Sequence, residues 1–408
     1  MPPPTVNHRR QSLQWTTVCT PLFPDQYQAA LGERLPEPVR IPLDQFGEFA
    51  ESEEPNRNTH NNRELWVRAV PMPGGEGPQY VYSMVFITEH GVTVVDPGWP
   101  DRDEFRASIA QPLNDFLIQH GRSIQDVKAV IATHAHPDHL GAAGPLAQLA
   151  NAKLVMSSRE WTSVEQARGD RPANPDRFAL TEESIGAPAG ALDLDKLPGA
   201  KETKGAKDAN TSTTRDRWFF PKQRPDVLLE DGDRLDQLDI PELSDLPWEV
   251  VITPGHTDGH MCLIDRAQKI LIAADQIIPT IFPGIGLSVA PAPGNPIEQY
   301  LDSLVRISEF DDYRVLSGHG YCFTDLPARI EETAQHVLRR AREVQNILSQ
   351  NEKGEAVSVW SMASKMTWSA GWDGMVKSPR LLSGLRQTMM YRDLVQRVGL
   401  DKWERLFA

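Results

Sequence analysis

The chain has 408 residues, of which 40% are hydrophobic and 24% charged, and its formal net charge is −14. That is enough apolar material for a real core and more length than one compact domain usually takes, while the charge argues against nucleic acid or an anionic membrane as partner unless a local basic patch intervenes. Three scattered cysteines, Cys19, Cys262 and Cys322, exclude a disulfide framework and suit a reducing compartment, so the cytoplasm is the expected location.

Residues 1–62 mix Pro, Gln, Asn and acidic side chains without periodicity and read as an N-terminal extension. Met1 to Gln14 is polar, with Arg9 and Arg10 but no apolar core behind them, so a secretory signal is not expected. No run of about 18 apolar residues predicts a membrane span. From Leu65 the texture changes to strands: Leu65 to Val70, Val81 to Thr88 and Val92 to Val95, the last ending in Asp96-Pro97-Gly98. A helical pattern through Phe105, Ile109, Leu113 and Leu117 leads to an apolar strand, Val127 to Ala132, and then to Thr133-His134-Ala135-His136-Pro137-Asp138-His139 before a small-residue helix, Leu140 to Leu149.

A strand over Ala152 to Met156 and a helix over Ser158 to Ala167 follow, and then a Gly-, Ala-, Pro- and Lys-rich insertion over 169–225 that ends near Trp218, Phe219 and Phe220. Further strands are expected at Val227 to Asp236, Trp248 to Ile252, His260 to Ile264, Lys269 to Ala273 and Tyr313 to Leu316. Residues 63–326 thus read as the main domain, the one expected to carry any catalytic site. In the C-terminal helical region, 327–408, Ile330, Ala334, Val337, Ala341, Val344 and Leu348 repeat at helical spacing, and a second helix is expected from Ser378 to Val398. The apolar stripe of the first needs a covering surface, which either the catalytic domain or a second copy of the chain could supply.

Imidazole nitrogen and carboxylate oxygen are zinc ligands, and His-x-His-x-Asp-His offers four of them in a strand-to-helix loop. The alternating spacing lets His134 and His136 face one metal and Asp138 and His139 a neighbour, with Pro137 stiffening the turn between them. Three histidines and an aspartate in one turn gain nothing by packing. Additional ligands stand at later strand ends, each an apolar strand followed by a Gly-rich turn or a lone carboxylate: His256 in Pro254-Gly255-His256-Thr257-Asp258-Gly259-His260, Asp275 after Ile270 to Ala274, and His319 in Ser317-Gly318-His319-Gly320. Taken singly, His256 and His319 could equally be packed histidines. Cys262, inside an apolar strand, reads as a buried filler.

The order HxHxDH, GHTxGH, lone Asp, GHG over Leu65 to Leu326 resembles the metallo-β-lactamase-fold superfamily, and Pro254 to Leu263 with the helical tail looks closest to its β-lactamase-like protein 2 branch. The resemblance implies an α/β fold, an αββα sandwich with the metals at one edge of its two sheets and a C-terminal helical, winged-helix-like appendage. It implies two Zn²⁺ per chain, His134, His136 and His256 on the first, Asp138, His139 and His319 on the second, and Asp275 on both. Asp96 matches an aspartate that hydrogen-bonds the ligands or their loop, although an Asp opening a turn before Pro reads the same way. His260 is structural, with a supporting role at the ligands open to it.

The activity so implied is hydrolysis of an ester, thioester or lactone by a metal-bound hydroxide, with Asp138 orienting it or relaying its proton. The branch also contains a single-stranded RNA endonuclease, but the cluster Arg339, Arg340 and Arg342 reads first as the exposed face of an amphipathic helix. Iron is the alternative metal: an iron-dependent sulfur dioxygenase keeps HxHxDH, whereas the di-iron reductases resemble Glu at the position of His136. Scaffolding relatives that have lost their ligands are a poor match, since this chain has the full set. A small-molecule ester or acyl thioester is the expected partner, with Trp99 and Phe282 in loops that should face the metals and the 169–225 insertion as a lid over them.

Overall fold

The strands carry apolar residues on both faces, and burial follows suit: in the segments 80–87, 92–95, 261–265 and 270–274 every residue is buried. A strand with no polar face needs a packed layer on each side. The structure, a computed structural model, describes residues 18–32, 34–43, 63–73, 78–100, 104–188, 220–350, 357–369, 371–378 and 380–407. Trp218, Phe219 and the middle of the expected lid lie outside the described residues, as does most of the N-terminal extension.

In chain order the strands are β1 (Thr20–Pro21), β2 (Val39–Ile41), β3 (Glu64–Pro71), β4 (Tyr80–Ile87), β5 (Val92–Val95), β6 (Val127–Ala132), β7 (Lys153–Ser157) and β8 (Val227–Leu229). They continue with β9 (Glu249–Ile252), β10 (Met261–Asp265), β11 (Ile270–Ala274), β12 (Arg314–Ser317) and β13 (Phe323–Thr324). The helices are α1 (Pro24–Gly32), α2 (Gln111–Gln119), α3 (Pro137–Leu140), α4 (Ala143–Ala150), α5 (Ser158–Arg168), α6 (Glu182–Ile185) and α7 (Pro296–Ile307), then α8 (Leu326–Ser349), α9 (Val359–Lys365), α10 (Gly371–Val376), α11 (Leu381–Arg397) and α12 (Asp401–Leu406).

A seven-stranded sheet in the order β2-β3-β4-β5-β6-β7-β8 faces a six-stranded sheet in the order β1-β13-β12-β11-β10-β9. The two inner faces meet in one core containing Leu65, Met84, Val95, Ile131, Val250, Leu263, Ile272 and Leu316. Alternate residues of the same strands point the other way. Val94, Val130 and Leu154 bury against Leu117, Leu146 and Val164 of α2, α4 and α5. Ile264, Leu271 and Val315 bury against Tyr300 of α7 and the C-terminal helices. The result is a helix–sheet–sheet–helix sandwich.

Two differences from the sequence reading have local causes. The strand expected over Val227 to Asp236 stops at Leu229, because Glu230-Asp231-Gly232-Asp233 makes a turn in which Gly232 has φ 84° and the Asp233 carboxylate accepts from the Glu230 N–H at 2.8 Å. The extension, in turn, is partly built into the sandwich: β1 pairs with β13 and β2 with β3. Strands of two and three residues are too short to show a period.

After Thr324 the described residues form the helices α8 to α12 and no strand. Their apolar faces do not need a second copy. Ile330, Val337, Val344, Met362, Leu385, Leu394 and Trp403 belong to the same core as β10, β11 and α7. Trp403 is fully buried and its indole N–H donates to Asp302 of α7 at 2.8 Å. Trp403→Ala is expected to cost about 3–5 kcal/mol while urea unfolding, followed by fluorescence and circular dichroism, stays a single transition. A separate early transition for the C-terminal helices would show instead that they fold as an independent unit.

Candidate metal centre

The site lies where the ends of β5, β6, β11 and β12 and the loop after β9 converge. Asp96 follows β5 in a left-handed conformation, φ 52°, which aspartate tolerates better than most residues. Its N–H donates to the Ile131 carbonyl, and its carboxylate accepts from the Thr133 N–H at 2.8 Å, the Thr133 hydroxyl at 2.7 Å and His139 Nδ1 at 2.8 Å. One buried carboxylate thus fixes both ends of the Thr133 to His139 loop. His136 is extended, with Pro137 starting α3, so that Asp138 and His139 turn inward in the first helical turn.

The histidine tautomers follow from what stands behind each ring. His136 Nε2 donates to the Leu287 carbonyl at 3.0 Å, His256 Nδ1 to the Gly284 carbonyl at 2.6 Å and His319 Nδ1 to the Tyr80 carbonyl at 2.8 Å. His134 Nδ1 donates to Thr133 Oγ1, 3.1 Å away, since that hydroxyl gives its own proton to Asp96. The opposite nitrogens of His134, His136 and His256 therefore present lone pairs. His134 Nε2, His136 Nδ1 and His256 Nε2 face one another at 3.0–3.3 Å. Three lone pairs so placed repel without a cation between them, and nitrogens about 2.0–2.1 Å from a tetrahedral zinc stand about 3.3 Å apart.

The second group is Asp138, His139 and His319, with His319 Nε2 at 3.2 Å from Asp138 Oδ2. Asp275 stands between the groups. Its Oδ2 is 3.6 Å from His256 Nε2, and its Oδ1 is 3.5 Å from the Nε2 atoms of both His139 and His319. Both Asp275 Oδ1 and His139 Nε2 are buried and lack a hydrogen-bond partner in the protein, a costly arrangement that metal coordination explains. The residues present fit a pair of metal ions, and all seven expected ligands come together in two adjacent groups.

Charge divides the groups. Burial, helped by the neighbouring imidazoles, holds His134 well below the usual histidine range and His256 down to about 4, so these rings are neutral and ready to ligate. Around the second group burial also opposes charge, but carboxylates outweigh it: Asp96, Asp138 and Asp275 raise His139, and Asp275 and Asp138 raise His319. Burial likewise works against the Asp138 carboxylate, which His139 and His319 nevertheless keep ionised at neutral pH. A divalent cation would replace those imidazole protons.

The remaining candidates lie around this centre. His260 is fully buried with its ring 5.0 Å from that of His134, and its Nδ1 meets Thr253 Oγ1 at 2.8 Å, so it supports the loop rather than joining the ligand group. Trp99 is half-buried in the turn after Gly98. Phe282 stacks on His336 of α8 with centroids 3.9 Å apart, and the Arg329 guanidinium sits 4.8 Å from its ring centre. Arg329 also donates to the carbonyls of Ile278 and Ile281 at 2.8 and 2.7 Å, and Asn295 to that of Met390 of α11 at 2.8 Å. The loop after Asp275 is therefore held by C-terminal helices. Its carbonyls at Gly284 and Leu287 set the tautomers of His256 and His136, a role that backbone atoms play without a side-chain signal.

Known proteins share this fold and stretches of this sequence. YflN of Bacillus subtilis (strain 168), named a probable metallo-hydrolase, is 25% identical over 250 residues, 58% of this chain and 77% of YflN. The beta-lactamase-like protein 2 homolog of Caenorhabditis elegans is 26% identical over 27% of this chain and 35% of its own length, so the finer branch is one distant likeness among others. A metallo-beta-lactamase family protein of Thermus thermophilus shares the fold with a TM-score of 0.57 at 21% identity, covering 82% of this chain and 94% of that one. The model of one family spans residues 76–319, from just ahead of β4 to the last of the seven candidate ligands, and by that match the chain belongs to the metallo-beta-lactamase superfamily.

Proposed function

We propose that the chain is a binuclear zinc hydrolase acting on an ester, thioester or lactone. The observation that carries this reading is Asp275, whose two carboxylate oxygens face the two histidine groups separately. Two bound cations would supply a lowered water pKa and neutralise charge developing on the scissile group. The chain's own residues do the rest. His134, His136 and His256 are neutral donors held in register by the carbonyls behind them, and Asp138, ionised at neutral pH and at the edge of the second group, orients the attacking water and accepts its proton.

The loop beside the site supports an apolar substrate group. Ile281, Phe282 and Leu287, each more than a third exposed, lie within seven residues of one another on the loop whose carbonyls bind His256 and His136. RNA finds less support, because Arg342 pairs with Glu404 at 2.6 Å and Arg340 with Glu343 at 3.7 Å while lying over Trp368. None of the described helices is long and apolar enough to cross a membrane.

Protein purified without added metal is expected to contain close to two zinc per chain and to hydrolyse one of a panel of aryl esters, acyl thioesters and lactones, with activity lost on chelation. Iron at one equivalent with no hydrolysis would favour the dioxygenase, and chelator-sensitive cleavage confined to single-stranded RNA would favour the nuclease.

A further inference from the structure

We propose that Glu160, which is none of the candidate ligands, is the positioning residue that fixes the distance between the two loops supplying the first metal's histidines. The proposal rests on the metal-centre reading above. Glu160 is fully buried in the first turn of α5. Its Oε1 accepts from the Ala135 N–H at 2.8 Å, the backbone link between His134 and His136. Its Oε2 accepts from the Gly259 N–H at 2.6 Å and the Thr257 hydroxyl at 3.1 Å, on the loop that carries His256. One carboxylate thus ties together two segments more than a hundred residues apart in sequence, at the point where their three nitrogens meet.

The rest of the β7–α5 junction makes the tie rigid. Ser157 caps α5 by accepting from the Glu160 N–H at 3.0 Å and donates its hydroxyl proton to the Gly259 carbonyl at 2.6 Å. Gly259 presses against the helix start so closely that a Cβ there would lie 2.1 Å from the Glu160 nitrogen. Arg159 pairs with Asp258 at 2.6 Å on the outer side. Ser157-Ser158-Arg159-Glu160 has the spacing of a capping box, in which Glu160 would bond back to the Ser157 N–H. Its carboxylate turns to the ligand loops instead. Only a carboxylate of this length accepts at both ends, because a glutamine would turn an NH₂ group towards one of the N–H donors and an aspartate would fall short.

The test uses the full chain loaded with Zn²⁺ and reads two binding steps by competition with a chromophoric chelator, beside the thermal midpoint. Glu160→Gln is expected to weaken one Zn²⁺ about 10–100-fold and leave the other near wild type, the size of effect seen when a partner of a metal ligand is removed. Trp403→Ala, which opens the core under the C-terminal helices away from both ligand loops, is expected to lower the thermal midpoint with both Zn²⁺ affinities unchanged. If Glu160→Gln lowers the midpoint yet binds both Zn²⁺ as wild type does, Glu160 is a framework residue and the proposal is wrong. Should Glu160→Gln not fold, Thr257→Val removes one donor at constant volume: weaker binding of one Zn²⁺ supports the proposal and unchanged binding overturns it. A wild-type chain that fails to bind two Zn²⁺ would overturn the metal-centre reading itself, and the role of Glu160 with it.

Discussion

Asp275→Asn is expected to lower turnover on the order of 10³-fold or more, well beyond the 10–100-fold typical for partners behind the ligands, and to leave the purified protein short of metal. The substitution keeps volume and shape, so packing around β11 should survive. What changes is charge. Asp275 Oδ1 has no partner in the protein and stands 3.5 Å from both His139 and His319, while Oδ2 stands 3.6 Å from His256. A neutral amide offers one acceptor where a carboxylate offers two, and its NH₂ would confront one histidine group with donors. Metal content by elemental analysis and kcat on the same preparation decide the matter. Full metal with full activity would remove Asp275 from the site.

Gly318→Ala should cost about 10²-fold in kcat/KM, the scale on which an ångström of misplacement acts, and about 1–3 kcal/mol in unfolding free energy, the usual cost of an added methyl in a packed site. The added methyl would lie 2.4 Å from Asp275 Oδ1 and 3.0 Å from His139 Cε1, inside the metal centre. Backbone strain is not the cause, since Gly318 is not among the residues with positive φ, unlike Gly320 at φ 82°. The glycine is there for close approach. Wild-type activity in the variant with both metals bound would mean that the carboxylate can move aside without consequence, contrary to its placement between the two groups.

Much of this centre was legible in the sequence because each ligand follows an apolar strand whose end is marked. His134 after Ala132, His256 after Ile252, Asp275 after Ala274 and His319 after Ser317 all sit where β6, β9, β11 and β12 stop. The strand pattern places those ends together once two sheets pack face to face. Asp96 could be read as a turn former, and its three hydrogen bonds show why that position also supports the ligand loop. Other parts had no such mark. Glu160 carries the spacing of a helix cap, and only the tertiary structure diverts it. The stacking of Phe282 on His336 depends on where α8 returns to the sandwich, a long-range fact.

The attachment of the loop after Asp275 to α8 and α11 bears on how the proposed reaction would choose its substrate. Arg329 of α8 donates to two carbonyls of that loop, Asn295 at the loop's end donates to the Met390 carbonyl of α11, and Met390 fills the space beside Gly286, where a Cβ would lie 2.5 Å from the methionine's terminal methyl. A wall pinned by buried bonds does not open at low cost. On that side, acyl groups would be told apart by fit to a fixed contour, and lengthening or branching them would change the rate through shape, with the tail helices acting as the mould.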